Sequence, residues 1–251
     1  MNQERRNKIV EMLGRQQTVT NAELMEKFGI SIETVRRDLA YLEGKGLLER
    51  VYGGAVRKAF LNTELEYISR EKVSSNEKTA IATEAEKLID SNDTVFFDLG
   101  TTVQEIARKI DKNKKITAIT NSLRTATALS ENNCEIIMTG GHLRNGELAL
   151  SGSIAENNMS LFNLDKAVIG VAGITEDGIT DFVFNEASLR AQAIKNAGKV
   201  IAVADHTKFG IRVSCNVCKI EDIDILITDE KTPAKLLKSF EKRGVKVIIA
   251  K

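Results

Sequence analysis

Seven short apolar runs recur between Glu77 and the C-terminus, and several of them follow stretches with helical periodicity. Their side chains are apolar without interruption, which is typical of strands that are covered on both faces. Alternation of such strands with amphipathic helices favours an α/β domain with a mostly parallel sheet. The predicted strands are TVFFD, ITAIT, EIIMTG, KAVIGV, KVIAVAD, IDILITD and VKVIIA, and the predicted helices are 77–89, 102–110, 122–130, 186–197 and 232–243.

The first 58 residues have a different pattern, in which apolar residues recur at helical spacing. Residues 3–15 form a first predicted helix. Thr20 or Asn21 can cap a second helix, which ends at Gly29. Ser31 is well suited to cap a third helix directly after the turn. Three helices within 45 residues indicate a small helical unit at the N-terminus.

A hairpin is predicted after the third helix, because Gly53 and Gly54 lie between two short segments with β-propensity. Helices, a tight turn, a further helix and a hairpin are the element order of a winged helix-turn-helix. The polar residues that follow lack periodicity. We therefore predict a winged helix-turn-helix at 1–58, a linker at 59–76 and an α/β domain at 77–251.

The third helix separates an apolar face from a charged one. An apolar stripe centred on Val35 forms its predicted buried face, and Arg37 lies near the opposite side with Arg36 on the flank. In a helix-turn-helix this half of the helix enters the major groove, where arginine binds guanine or a phosphate. A solvated charged face is the alternative. The predicted DNA-binding residues are Thr20, Ser31, Glu33, Thr34, Arg36, Arg37, Arg50, Tyr52, Gly53 and Gly54.

The charge distribution is that of a small basic module joined to a near-neutral body. Residues 1–58 hold 11 Lys and Arg against 8 Asp and Glu, whereas the whole chain has a net charge of +1. A positive N-terminal part favours double-stranded operator DNA as a partner. Two recognition helices in successive major grooves would require a homodimer or a homotetramer.

Several other classes of protein are disfavoured by the composition. The longest apolar runs are far shorter than the roughly 20 residues that span a bilayer, and the charged N-terminus lacks a signal-peptide core. A cytoplasmic protein without membrane contact is therefore expected. Cys134, Cys215 and Cys218 are predicted to be reduced thiols, although the spacing of the last two also occurs in zinc and redox sites. We predict no metal and no cofactor.

The segment TVFFDLGTTVQEIARKI predicts a strand, a tight turn at Gly100 and a helix that opens at Thr101 and Thr102. Backbone N–H groups at a helix N-terminus favour an anion, and the two hydroxyls add donors. Asp98, at the strand end, can accept from a ligand hydroxyl. An ordinary strand-to-helix turn capped by threonine is the alternative.

Polar and glycine residues also follow the neighbouring strands. In an open α/β sheet, ligands bind at the carboxyl ends of the strands. An anion at Gly100–Thr102, a cation from Lys208 and acceptors at Asp98 and Asp205 would suit a small phosphorylated sugar or polyol. Arg144 is a further candidate for the phosphate. The other residues in this group are Thr120, Asn121, Ser122, Gly140 and Gly141.

The segment TVTNAELMEKFGISIETVRRDLAYLEGKGLLERVYGGAV resembles the N-terminal signature of DeoR-family bacterial transcription regulators. The resemblance extends through DLGTT, TNS, TGG, LSGSIAE, DGITDFVFNEA and ADHTKFG, and so covers nearly the whole chain. It implies a sensor domain similar to ribose-phosphate isomerase-like folds, in which a sugar phosphate or related metabolite modulates repression. Within these motifs, Gly152, Asp181, Glu186 and Arg190 complete the predicted effector site.

Three positions depart from the family pattern. Tyr52 stands where the wing usually has histidine, and its hydroxyl can still bond a phosphate. Arg190 stands where lysine is usual and keeps the positive charge. Val103 replaces the third threonine of the phosphate loop and removes one hydroxyl, which would alter ligand preference.

Two functions remain open from the sequence. The first is a DNA-binding regulator, a repressor of carbohydrate or polyol metabolism genes that is controlled by a phosphorylated effector and is not an enzyme. The second is a phosphosugar isomerase or deaminase with an appended helix-turn-helix. In that enzyme Asp181 or Glu186 would be the base, and Lys208 would stabilise an enediolate.

Overall fold

The computed structural model describes residues 2–16, 18–45, 47–56, 64 and 66–251. The chain divides into two units, Met1–Leu65 and Glu66–Lys251. The second unit begins at Glu66 and not at the predicted residue 77, so that much of the predicted linker belongs to it. Residues 59–63 and 65 of that linker lie outside the described residues.

The first unit is a three-helix bundle with a small sheet, as predicted for a winged helix-turn-helix. Its strands are antiparallel in the order β1-β3-β2, and β1 was not expected from the sequence. Buried leucine, isoleucine and valine side chains from all three helices form its core. The elements are α1 (Asn2–Gln16), β1 (Thr18–Thr20), α2 (Asn21–Phe28), α3 (Ile32–Gly44), β2 (Glu49–Val51) and β3 (Gly54–Val56).

Helix ends in this unit follow the predicted caps. Thr20 and Glu23 form a capping box at the start of α2, and Gly29 ends the helix in the left-handed conformation. Ser31 accepts a hydrogen bond from the backbone N–H of Thr34 at the start of α3. The tight turn between α2 and α3 therefore arises from local sequence signals.

The hairpin turn lies one residue earlier than predicted, at Tyr52 and Gly53, and Gly54 is the first residue of β3. A β-carbon at position 54 would lie 2.0 Å from the carbonyl oxygen of Val19. Glycine is therefore required there by the close approach of β1, and not by the turn itself.

The second unit contains one seven-stranded sheet with helices on both faces. The strand order is β15-β14-β12-β9-β4-β5-β6 and every pairing is parallel, which confirms the predicted α/β fold. Its strands are the seven predicted apolar runs: β4 (Thr94–Phe97), β5 (Thr117–Thr120), β6 (Glu135–Met138), β9 (Leu164–Gly170), β12 (Ala197–Val203), β14 (Ile225–Asp229) and β15 (Lys246–Ala250).

Alternate residues of each strand enter two different hydrophobic cores. Phe96 packs into one core and Phe97 into the other. One face is covered by α5 (Ser75–Glu86), α6 (Thr101–Lys109) and α7 (Leu123–Ser130). The opposite face is covered by α8 (Ser153–Met159), α9 (Phe184–Asn196) and α10 (Ala234–Glu241).

A short helix, α4 (Tyr67–Lys72), lies within the predicted linker. Two groups of strands in this unit were not predicted. A hairpin of β7 (His142–Arg144) and β8 (Ala149–Ser151) follows β6, and a three-stranded antiparallel sheet is formed by β10 (Gly173–Thr175), β11 (Gly178–Asp181) and β13 (Cys215–Lys219). Within the described parts of the chain, no helix is both long and apolar enough to cross a membrane.

Candidate functional site

The helix α3 presents a charged face away from its core. Val35, Leu39 and Leu42 are buried, as the helical pattern predicts. On the opposite side Ser31, Glu33, Arg36 and Arg37 are exposed and Thr34 is half-buried. We call these five residues the recognition face. Within the described residues, neither Arg36 nor Arg37 forms an ion pair, so that both guanidinium groups are available to an external partner.

The orientation of α3 is fixed by Asp38, which is only 1% exposed. Its two carboxylate oxygens accept hydrogen bonds from the Nε atoms of Arg5 and Arg6 on α1, at 2.6 and 2.7 Å. The guanidinium of Arg6 also lies 3.8 Å from the centre of the Tyr41 ring. These contacts lock α3 to α1 and leave the recognition face outward.

The wing is pinned to the start of α2. The backbone N–H of Asn21 donates to the carbonyl oxygen of Gly53 at 2.8 Å, and Tyr52 is fully exposed at the turn. Two of the predicted DNA ligands also have internal partners. Thr20 is engaged in its capping box. Arg50 donates through Nε to Glu43 at 2.6 Å, although this pair is largely exposed to solvent.

In the second unit, Asp98 is buried at the end of β4. Its oxygens accept from the backbone N–H groups of Leu99 at 2.8 Å and Gly170 at 3.1 Å. The guanidinium of Arg190 binds both Asp98 and Asp181, and all three side chains are buried. We call Asp98, Asp181 and Arg190 the buried triad.

The triad contains three of the predicted effector-binding residues. The single guanidinium of Arg190 is shared by two carboxylates, so that all three side chains are already paired inside the protein and the triad keeps one excess negative charge. Burial alone would raise the pKa of Asp181, but the charge and hydrogen bonds of Arg190 hold it below its usual value. The triad connects β4, β11 and α9 and therefore positions the strand ends that surround it.

Arg144 and Glu186 form a second internal pair. The guanidinium of Arg144 donates to both carboxylate oxygens of Glu186, through Nε at 2.6 Å and Nη2 at 2.8 Å. Burial raises the pKa of Glu186 to about 7, and Arg144 opposes this effect. Arg144, a predicted phosphate ligand, therefore anchors β7 to α9 through a guanidinium that is already paired with a carboxylate.

The helix α6 opens at Gly100 with a positive φ of 119° and has no side-chain cap. The first N–H groups of a helix have no intrahelical partner, so that this end can accept an anion. Thr101 is buried and Thr102 half-buried at this point. Val103, in contrast, is fully buried in the core, so that a threonine hydroxyl at this position would be buried as well.

The residues after β5 have mixed roles. Thr120 accepts from the N–H of Ser122 at 3.1 Å, and Ser122 accepts from the N–H of Thr125 at 3.2 Å, so that both hydroxyls stabilise the turn into α7. Asn121 is 1% exposed, and its side-chain oxygen has no hydrogen-bond partner within the described residues. Such an atom is costly to bury and favours an external donor.

The glycine residues near this edge shape the hairpin. Gly140, Gly141 and Gly152 all have positive φ angles. A β-carbon on Gly141 would lie 2.6 Å from the carbonyl oxygen of Ser151, so that glycine allows β7 and β8 to close on each other. Gly140 and Gly141 follow β6, and Gly152 follows β8. The direct role of these glycines is to permit the backbone conformation of the turns.

Lys78 was missed by sequence reasoning. It is 5% exposed, and its ammonium donates to the backbone carbonyl of Arg70. Burial lowers the pKa of Lys78 to about 8. The negative charge of Asp205 opposes this shift, and the positive charge of Lys208 adds to it. The sequence contained a signal for this burial. Lys78 lies three and four residues before the buried Ile81 and Ala82 and so shares their face of the helix, where an apolar residue is usual.

Asp205 and His206 begin a single 3-10 turn, His206–Lys208, after β12. Asp205, a predicted ligand acceptor, caps this turn by accepting from the N–H of Thr207 at 2.9 Å. His206 contacts Asp229 through Nδ1 at 3.0 Å, and its Nε2 has no partner within the described residues. Lys208 remains half-buried at this edge.

We use the name effector edge for the carboxyl ends of β4, β5 and β12 together with Lys78. It contains an uncapped helix N-terminus, an unsatisfied amide oxygen and two lysines close enough to influence each other's charge. No group of three or more metal-ligating side chains occurs within the described ranges, and the three cysteines are free thiols. Anion binding is the chemistry that this arrangement favours.

A winged helix-turn-helix with an open recognition face, joined to an α/β unit with a polar strand edge, defines the class of DNA-binding regulators with a sensor domain. The family comparisons agree. A model described as the DeoR-like helix-turn-helix domain matches residues 5–59, and one described as the DeoR C terminal sensor domain matches residues 73–230. The chain belongs to the DeoR family of helix-turn-helix transcriptional regulators.

Individual relatives extend over nearly the whole chain. It is 35% identical over 252 residues to the HTH-type transcriptional regulator GolR of Listeria innocua, with 98% of each protein covered. It is 32% identical over 237 residues to the glycerol-3-phosphate regulon repressor of Escherichia coli, with 93% of each covered. Among solved structures, ribose 5-phosphate isomerase A of Methanocaldococcus jannaschii has a TM-score of 0.41 and 13% identity over 54% of each chain.

Proposed function

We propose that this regulator is a repressor whose affinity for operator DNA is set by a phosphorylated sugar or polyol at the effector edge. The main support is the recognition face of α3, which is held outward by Asp38 and carries two arginines without ion pairs in the described part of the chain. Because operators are commonly two-fold symmetric, the repressor acts as a homodimer or homotetramer.

Within the recognition face the two arginines have different roles. Arg37 lies opposite the buried residue Val35 and contacts a base edge, whereas Arg36 on the flank contacts a phosphate. Ser31, Glu33 and Thr34 complete the contact at the N-terminal end of α3. The wing, with Tyr52 and Gly53 at its turn and Gly54 at the start of β3, lies along the DNA backbone together with Arg50 and Thr20.

Replacing Arg37 by alanine is expected to weaken binding to the specific operator by about 1–3 kcal/mol and to reduce discrimination at one base position. Replacing Arg36 by alanine is expected to weaken binding to all sequences alike. The number of counterions released on binding, obtained from the salt dependence of the affinity, should fall by about one. Both are measured by fluorescence anisotropy on operator and scrambled duplexes over a series of salt concentrations.

The matched control is Arg212→Ala, which removes an exposed arginine from the second unit. This variant should bind DNA like the wild type. Unchanged operator binding by Arg37→Ala at every salt concentration would show that α3 does not read the operator through this residue.

At the effector edge, the phosphate is bound by the N–H groups at Gly100–Thr102 and by the ammonium groups of Lys78 and Lys208. Asn121 supplies an acceptor for a ligand hydroxyl, since its side-chain oxygen is unsatisfied within the described residues. The buried triad holds the surrounding strand ends in place. One relative is a glycerol-3-phosphate regulon repressor, which supports a phosphorylated polyol as the class of ligand.

A thermal-shift panel tests the ligand class. It contains glycerol 3-phosphate, ribose 5-phosphate and glucose 6-phosphate, together with glycerol, ribose and glucose. A phosphorylated compound at 100 times its dissociation constant should stabilise the sensor unit by about 2.7 kcal/mol, and its unphosphorylated partner should not. Lys208→Met should abolish the shift, whereas Lys219→Met, on β13, should retain it. A shift caused only by unphosphorylated compounds would refute the phosphate site.

The alternative of an isomerase or deaminase is disfavoured by the environment of its candidate bases. A pKa of about 7 for Glu186 would suit a general base, but both of its oxygens accept from Arg144. Asp181 is neutralised by Arg190. Each carboxylate would have to break a buried ion pair before it reached a substrate, and the relatives are transcriptional regulators.

A further inference from the structure

The helix α4 is held firmly to the sensor unit, although its sequence resembles a linker. The Tyr67 side chain is 4% exposed, and its hydroxyl donates to the side-chain oxygen of Gln104 on α6. The guanidinium carbon of Arg124, on α7, lies 4.1 Å from the centre of the Tyr67 ring. Two helices of the effector edge therefore contact one residue of α4.

A second residue of α4 contacts the β7–β8 hairpin. Arg70 forms an ion pair with Glu147, in the turn of that hairpin, and the Glu147 side chain is only 4% exposed. The same hairpin is anchored on its other side by the pair of Arg144 with Glu186. The hairpin is thus held between α4 and α9, and we call the Arg70–Glu147 pair the latch.

The latch is directly connected to Lys78, one of the residues proposed to bind the effector. The Lys78 ammonium donates to the backbone carbonyl of Arg70, near the C-terminal end of α4. The same ammonium is influenced by the charges of Asp205 and Lys208 across the effector edge. An entering phosphate dianion would attract Lys78 and so compete with the Arg70 carbonyl for its protons.

We propose that α4 is the output element of the sensor: an occupied effector edge withdraws Lys78 from Arg70, loosens the latch and changes the position of α4. As the first element of the second unit, α4 directly follows the chain that leads from the helix-turn-helix unit. A change in α4 therefore occurs at the boundary of the two units along the chain. This inference rests on the proposed effector site and describes how its occupancy is transmitted.

Hydrogen exchange of the full-length protein tests this transmission. The probe is the phosphorylated compound of the thermal-shift panel that gives the largest stabilisation. In the wild type, the probe should speed exchange of the α4 amides by about fivefold or more, the lower limit of common allosteric coupling. In Glu147→Gln, which breaks the latch, α4 should exchange fast without the probe and should respond little to it, while the thermal shift persists.

The matched control is Glu156→Gln, which makes the same chemical change on the opposite side of the sheet. Glu156 accepts from the Ser188 hydroxyl at 2.8 Å, and among the described residues no hydrogen bond or ion pair joins it to α4 or to the hairpin turn. In Glu156→Gln, the α4 amides should respond to the probe as they do in the wild type. A similar loss of response in this variant would assign the effect of Glu147→Gln to general destabilisation and overturn the latch.

Two further outcomes separate this inference from the proposed function. A probe that stabilises the wild type but leaves α4 exchange unchanged would refute the role of α4 and leave the effector site standing. A panel in which no phosphorylated compound stabilises the protein would refute the effector site and with it the trigger for α4.

Discussion

Arg190→Met is expected to lower the free energy of unfolding of the sensor unit by about 3–5 kcal/mol. The substitution keeps the length of the side chain but leaves the carboxylates of Asp98 and Asp181 buried together without a counter-charge. For a unit of this size the loss corresponds to a decrease of roughly 10 °C in melting temperature. Differential scanning calorimetry of the full-length protein measures it.

Arg108→Met is the control for this experiment. Arg108 is an exposed arginine on α6 that pairs with Glu71 and Glu105, so that its loss should cost about 0–1 kcal/mol. A companion variant, Asp98→Asn, removes one of the two carboxylate charges and tests whether charge balance or packing dominates. If Arg190→Met melted within 1 °C of the wild type, the triad would not be an important source of stability.

Leu39→Ala is expected to destabilise the helix-turn-helix unit by about 2–5 kcal/mol and to abolish specific DNA binding. Leu39 is 2% exposed within a small core that is separate from the two cores of the sensor unit. Such a loss is a large part of the total stability of a unit of this size. The calorimetric transition of the sensor unit and its response to the effector panel should be retained.

Met25→Ala is the matched control, since Met25 lies on α2 but is 37% exposed. It should change stability by less than about 0.5 kcal/mol and leave DNA binding intact. Circular dichroism and operator binding, measured on the same samples, distinguish the two variants. Normal DNA binding by Leu39→Ala would mean that the unit tolerates a cavity beside its recognition helix.

The parts of the fold that were predictable depend on local patterns. Each parallel strand is covered on both faces, so that a continuous apolar run such as the one around Phe96 and Phe97 marks it directly. The caps of α2 and α3 are likewise encoded within four residues. In contrast, α4 has little periodicity, and its helix is stabilised by Tyr67 and by tertiary contacts that a local window does not contain.

Which polar residues follow the strand ends was predictable, but their pairing was not. Strand ends in a parallel sheet converge on one edge, and Gly100 and Asn121 follow the ends of β4 and β5 there. The pairing of Asp98 with Arg190 joins residues 92 positions apart, and nothing local indicates that the two charges neutralise each other. Lys78 was overlooked because charged residues near the start of a helix are normally exposed.

The anchoring of α3 by Asp38 has a consequence for engineering. The side chains that pack this helix against the core, Asp38 and Leu39 among them, differ from those at the outward positions 33, 34, 36 and 37, whereas Ser31 both faces outward and caps the helix. Positions 33, 34, 36 and 37 can therefore be randomised together without removing a contact on which folding of the unit depends. A library at these four positions, selected for binding to new operator sequences, should yield regulators that respond to the same effector but bind a different operator.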